Sequence, residues 1–143
     1  MLVPMSPTAE QLRRYSLFGG LVDAQLAMLL SRITVEELPA GAVLIREGEH
    51  GDRMWCLISG EVEVSRGGRP LARLLSGETI GEMELIDMQP RSATVTALAP
   101  CTLYALRLKD ILALQRHDLP AFALVVMNLA RDLSRRLRRM DGA

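Results

Sequence analysis

Between residues 34 and 108 the chain runs through seven short β-prone pieces: TVEEL, AVLIRE, MWCLIS, EVEVS, LARLL, ATVTALA and TLYALRL. Gly41, Gly48, Gly51, Gly60, Gly67, Gly68 and Gly77 punctuate them. Short strands at regular spacing with glycine turns predict a β-sandwich or jelly-roll barrel. Val62 and Val64 alternate with Glu61 and Glu63, the pattern of a strand with one face buried and one wet. SRGGRP reads as a hairpin turn between two such strands.

Helical periodicity flanks this region. In SPTAEQLRRY, Ser6 is the expected N-cap, with Pro7 at the first helical position. After a break at Phe18-Gly19-Gly20 the pattern restarts at Asp23, with Leu26, Leu29, Leu30 and Ile33 at helical spacing. At the other end KDILALQRH leads into LPAFALVVMNLARDLSRRLRRM. There Ala123, Val126, Ala130, Leu133, Leu137 and Met140 step by three and four, forming a seam suited to a partner helix. A second stripe, Phe122, Val125 and Leu129, is free to pack on the chain's own strands, and Arg131, Asp132, Arg135, Arg138 and Arg139 are expected on flanking or outer positions. The expectation is mainly β with flanking helices: one domain over 1–143, with N-terminal helices over 1–33, a jelly-roll β-barrel over 34–108, C-terminal helices over 109–143, and a homodimer held by the last helix.

Composition narrows the function classes. At 143 residues and 49% hydrophobic the chain can bury one real core, and its formal charge of +0 implies no bulk polyelectrolyte partner. The C-terminal arginines lie on an amphipathic helix and read as its solvated face. Cys56 and Cys101 are too few for a disulfide framework and read as reduced, buried thiols. The opening MLVPMSPTAEQLRRYS lacks a signal-peptide pattern, and no apolar run is long enough to span a bilayer, so a soluble, cytoplasmic protein without a membrane partner is expected. Two histidines, His50 and His117, do not supply a converging metal set. No Ser/His/Asp or Cys/His arrangement and no Walker loop is visible. The reading is therefore non-enzymatic, with no metal and no cofactor.

The β-region is interrupted once, at residues 80–93, IGEMELIDMQPRSA. A helical turn inserted there presents unpaired N–H groups that favour an anion. Gly81 permits close backbone approach, Arg91 offers a planar fork for phosphate oxygens, and Ser92 offers a hydroxyl. Glu82 would repel a phosphate and suits a sugar hydroxyl instead. A phosphate joined to a ribose in a short pocket points to a cyclic nucleotide. The same residues also fit a buried Arg–Glu pair that only ties the turn to the barrel.

Gly81, Glu82, Met83, Leu85, Pro90, Arg91, Ser92 and Ala93 closely resemble the phosphate-binding cassette of cyclic-nucleotide-binding domains. These occur in the catabolite activator family, protein kinase A regulatory subunits and gated channels. REGEHGDRMWCLISGEVEV resembles that family's glycine-spaced strands, and NLARDLSRRLRR its long final helix. The resemblance implies that Glu82 holds the ribose 2′-hydroxyl. It implies that Gly81 and Met83 face the sugar-phosphate through backbone groups, and that Arg91 and Ser92 bind the cyclic phosphate. It also implies that an arginine of the last helix, Arg136, caps the purine. The implied ligand is cyclic AMP, with cyclic GMP as the alternative, and the implied output is an unidentified protein effector. Transcription factors of the family continue into a helix-turn-helix. This chain stops at Ala143, so no direct DNA contact is expected.

One residue departs from the pattern. The family usually has a small residue where this chain has Glu84. If that side chain points to solvent, binding survives. If it points inward, phosphate affinity falls or Arg91 is neutralised internally, and the alternative is an interaction or dimerisation module with a degenerate pocket.

Overall fold

The computed structural model of the chain describes residues 6–140. Residues 1–5 and 141–143, the outer limits of the expected domain and the start of the stretch read as lacking a signal peptide, lie outside the described residues. The elements run α1 (Ala9–Leu12), a 3-10 turn (Ser16–Phe18), α2 (Asp23–Leu30), β1 (Thr34–Leu38), β2 (Val43–Ile45), β3 (Arg53–Ser59), β4 (Val62–Arg66) and β5 (Arg69–Leu74). They continue with β6 (Thr79–Ile80), α3 (Met83–Asp87), β7 (Thr94–Ala97), β8 (Cys101–Arg107), α4 (Leu108–His117) and α5 (Leu119–Met140).

The strands form two antiparallel sheets, β1-β8-β3-β6 and β2-β7-β4-β5, which do not close into a continuous barrel. Side-chain alternation in the first sheet sets the layers. Trp55 and Leu57 of β3, with Leu103 and Ala105 of β8, join Ile45, Val62, Leu74 and Val95 of the second sheet in the inter-sheet core. The intervening residues Met54, Cys56, Tyr104 and Leu106 point the other way, into a core with Leu12, Phe18, Leu26, Ile111, Val125 and Leu129. β3 is thus buried on both faces, which is why MWCLIS reads as an unbroken apolar run. β6 pairs with Trp55 and Cys56 for only two residues, too few for any periodic signal.

Local chemistry moves the first helix start. The cap is Thr8, not Ser6. Thr8 Oγ1 accepts from the Gln11 N–H at 3.2 Å, and Gln11 Oε1 accepts from the Thr8 N–H at 2.8 Å. This reciprocal box satisfies two backbone donors, whereas a cap at Ser6 would satisfy one at most.

The last helix packs as its second stripe predicts: Val125 and Leu129 are buried in the helical core and Phe122 packs against it. The seam stays more open, with Ala123, Ala130, Leu137 and Met140 exposed and Val126 and Leu133 half-buried. Asp132 differs from the expected outer position. It is buried, accepts from Ser16 Oγ at 2.8 Å and pairs with Arg135. One turn earlier Asn128 Nδ2 donates to the carbonyls of Leu17 and Gly19 at 3.0 and 2.9 Å. These two polar side chains fasten α5 to the 3-10 turn and so fix where its C-terminal half meets the sheets.

Candidate functional site

The interruption between β6 and β7 forms one wall of a pocket against the second sheet. Gly81 opens it with φ +82°, a conformation that side chains disfavour, and an added Cβ there would lie 2.8 Å from Arg91 Nη1. The chain then turns through α3, which Met88 ends in the left-handed region at φ +56°. Pro90 and residues 91–93 return it to β7.

Arg91 is the hub of this turn. Its side chain is 6% exposed. Nη1 donates to the Gly81 carbonyl at 2.8 Å, Nη2 donates to the Arg53 carbonyl at 2.7 Å, and the guanidinium lies 5.8 Å from the Trp55 ring centroid. The loop between β2 and β3 wraps it from behind. The Arg91 N–H donates to the Glu49 carbonyl and the Gly48 N–H donates to the Arg91 carbonyl, both at 2.8 Å. Gly51 lies in that loop, and a Cβ there would sit 1.9 Å from Nη2. Only glycine lets backbone reach the guanidinium so closely.

Arg91 Nε faces the Glu84 carboxylate at 3.2 Å, and the Glu84 side chain is only 9% exposed. Glu84 also accepts from the Gly51 N–H at 2.9 and 3.1 Å, with His50 Nδ1 at 3.4 Å. Of the two orientations open from the sequence, the structure takes the inward one.

Glu82 sits deeper, 2% exposed. Its partner comes from α5: Arg136 Nη1 donates to Glu82 Oε1 at 3.1 Å, and Nη2 donates to the Thr79 carbonyl at 2.8 Å. Burial pushes the Glu82 carboxyl above its ordinary range, and the Arg136 charge offsets part of that rise. Glu78 anchors the same helix end through Arg136 and Arg139.

All six residues singled out from the sequence, Gly81, Glu82, Met83, Arg91, Ser92 and Arg136, line this one pocket. Ile45, Val64, Leu74 and Val95 supply apolar walls from the second sheet. Met83 and Ser92 are exposed on its rim, and the Ser92 carbonyl accepts from Arg66 Nε at 2.9 Å. The purine-capping arginine expected on the last helix faces Glu82 and the Thr79 carbonyl. The Arg–Glu pairing weighed from the sequence is present twice, as Arg91–Glu84 within the cassette wall and Arg136–Glu82 between cassette and helix. Gly51 was visible in the sequence only as punctuation. Its role depends on a contact 40 positions away, which no local pattern reports.

Apolar walls, the Glu82 and Glu84 carboxylates, the buried Arg91 guanidinium and a helix touching the site directly define a binding module for a small polar ligand. A model of the cyclic nucleotide-binding domain matches residues 35–118. The chain belongs to this family. It is 40% identical over 130 residues to the cyclic AMP receptor protein of Thermus thermophilus, covering 87% of this chain and 58% of that protein. It is 30% identical over 138 residues to a CRP-like cAMP-activated global transcriptional regulator of Mycobacterium tuberculosis, covering 93% of this chain and 60% of that protein. The chain thus spans about three fifths of the length of these relatives. The fold matches the crystal structure of a putative cyclic nucleotide-binding protein from Geobacter metallireducens with a TM-score of 0.84 at 21% identity, covering 92% of this chain and 98% of that one. Among the described residues no helix is long and apolar enough to cross a membrane.

Proposed function

We propose that this domain is a non-enzymatic, cytoplasmic sensor that binds a cyclic purine mononucleotide and signals through α5. Cyclic AMP is the ligand of choice, with cyclic GMP as the alternative. The observation that carries this reading is the direct bond from Arg136 on α5 to Glu82 in the cassette. A ribose hydroxyl donating to Glu82 competes with Arg136 for the same carboxylate oxygens. Ligand occupancy therefore changes what holds the end of α5. Arg91 and Ser92 meet the cyclic phosphate, Gly81 and Met83 meet the sugar-phosphate through their backbone, and the apolar walls take the base. The exposed seam of α5 serves a second copy of the chain, and the output passes to a protein effector.

A second reading has its own observation. Glu82 and Arg91 already hold internal partners, Arg136 and Glu84 respectively. A pocket closed in that way leaves an interaction or dimerisation module. The two readings separate on 2′-deoxy-cyclic AMP. Under the sensor reading, the intact protein binds cyclic AMP more tightly than the deoxy analogue by about tenfold or more, because a site built to accept a hydroxyl rejects the analogue lacking it. Glu82→Gln should lose most of that discrimination. Absence of binding by either nucleotide would favour the interaction module.

A further inference from the structure

The structure assigns Glu84 the place of a built-in anion that a ligand phosphate must displace, making it the residue that sets how strongly this pocket favours charged over uncharged ligands. The inference rests on the nucleotide-binding reading above. The Glu84 carboxylate lines the pocket, pairs with Arg91 Nε at 3.2 Å and accepts from the Gly51 N–H at 2.9 Å. Arg91 spends Nη1 and Nη2 on the carbonyls of Gly81 and Arg53, so Nε is the edge that faces an acid. A monoanionic phosphate seeking the same guanidinium meets a carboxylate already there, and two anions against one cation repel. Glu82 and Asp87 also line the pocket, so carboxylates outnumber the two guanidiniums of Arg91 and Arg136 by three to two. An uncharged nucleoside meets no such opposition, since carboxylates readily accept from its hydroxyls.

The glutamate is held in place by more than the arginine. The Gly51 N–H points at it, and the Gly51 backbone lies so close to the guanidinium that any side chain there would collide. Release of Glu84 therefore frees the face of Arg91 that lines the pocket, the group an incoming phosphate oxygen would take over, and leaves the Gly51 N–H without this acceptor.

The test titrates cyclic AMP and adenosine into the intact protein, Glu84→Gln and Glu84→Ala. Removing a like charge from beside the phosphate is expected to tighten cyclic AMP about five- to tenfold while moving adenosine less than about twofold. Glu84→Gln keeps an oxygen acceptor for Gly51 and guards against loss of the fold in the alanine variant. Thermal unfolding with inorganic phosphate, against chloride at matched ionic strength, gives a readout that needs no nucleotide. Phosphate should raise the melting temperature of both variants and leave that of the intact protein unchanged. Equal shifts for cyclic AMP and adenosine, or variants that phosphate does not stabilise, would overturn the inference. If no protein binds either nucleotide, the sensor reading fails, and the phosphate-dependent melting alone decides the role of Glu84.

Discussion

Arg136 on the last helix donates to Glu82 at 3.1 Å, joining two residues 54 positions apart that both line the pocket. The bond couples the position of a helix to the charge of one carboxylate. Glu82 is almost fully buried, and burial is the larger influence on it, so its proton is held more tightly in the folded chain than in the unfolded one.

That direction sets a pH dependence. Below the ordinary carboxylate pKa of 4.5 both states hold the proton, and Glu82 contributes no slope. As pH rises from there through the raised folded value, the unfolded state loses its proton first, and stability falls. Above that window the cost of the buried charge is fully present. Glu82→Gln should therefore flatten this part of the stability profile and unfold at a higher temperature at neutral pH, by about 4 °C for each kcal/mol gained. Urea unfolding of both proteins between pH 4 and 8 checks it. A variant less stable at every pH would show that the bond from Arg136 outweighs the burial of Glu82.

Asn128 should be worth more than its place in a helix suggests. Its amide satisfies the carbonyls of Leu17 and Gly19, and Asn128→Ala leaves both without that donor. The expected loss is about 1–3 kcal/mol in chemical denaturation. A change below a few tenths would mean that water replaces the amide.

The seam of α5 predicts a dimer. Leu137 is 60% exposed, and Leu133 is half-buried on the same stripe. Replacing both by Asp should yield a monomer in sedimentation with its β-sheet circular dichroism intact. The seam includes two alanines, which bury little area, so the dimer should be weak and concentration-dependent. An intact protein that sediments as a monomer at high concentration would refute it.

What the sequence made legible follows the range of the forces involved. MWCLIS and TLYALRL declare themselves because burial on both faces leaves short, nearly continuous apolar runs, and both became central strands of the first sheet. The cassette declares itself because Gly81, Glu82, Arg91 and Ser92 are packed into a dozen positions. Thr79–Ile80 was silent, since a two-residue strand exists only through its partner β3. Asp132 and Asn128 were hidden for a related reason. A polar residue in an amphipathic helix defaults to solvent, and only the carbonyls and hydroxyl of the distant 3-10 turn draw these two inside. Glu84 was ambiguous because its direction depends on Arg91 and on the Gly51 N–H, neither of which adjoins it in the chain.

Arg91 carries a structural and a binding role at once, and its substitution should expose both. Arg91→Leu leaves the Glu84 carboxylate buried beside an apolar chain and removes donors from the Gly81 and Arg53 carbonyls. Breaking a buried pair by removing one partner costs about 3–5 kcal/mol. The variant should melt well below the intact protein, and binding must be compared at a temperature where both are folded. Melting within a degree of the intact protein would contradict the hub role.

The most direct measurement is calorimetric titration of cyclic AMP and of cyclic GMP into the intact protein and into folded Arg91→Leu. Saturable heat with one nucleotide per chain is expected for the intact protein, and loss of the charge-assisted contact to the phosphate should weaken binding in Arg91→Leu by about 2–5 kcal/mol, roughly thirtyfold to several thousandfold. Equal affinity in the two proteins, or no heat with either nucleotide in the intact protein and in Glu84→Gln, would contradict the account.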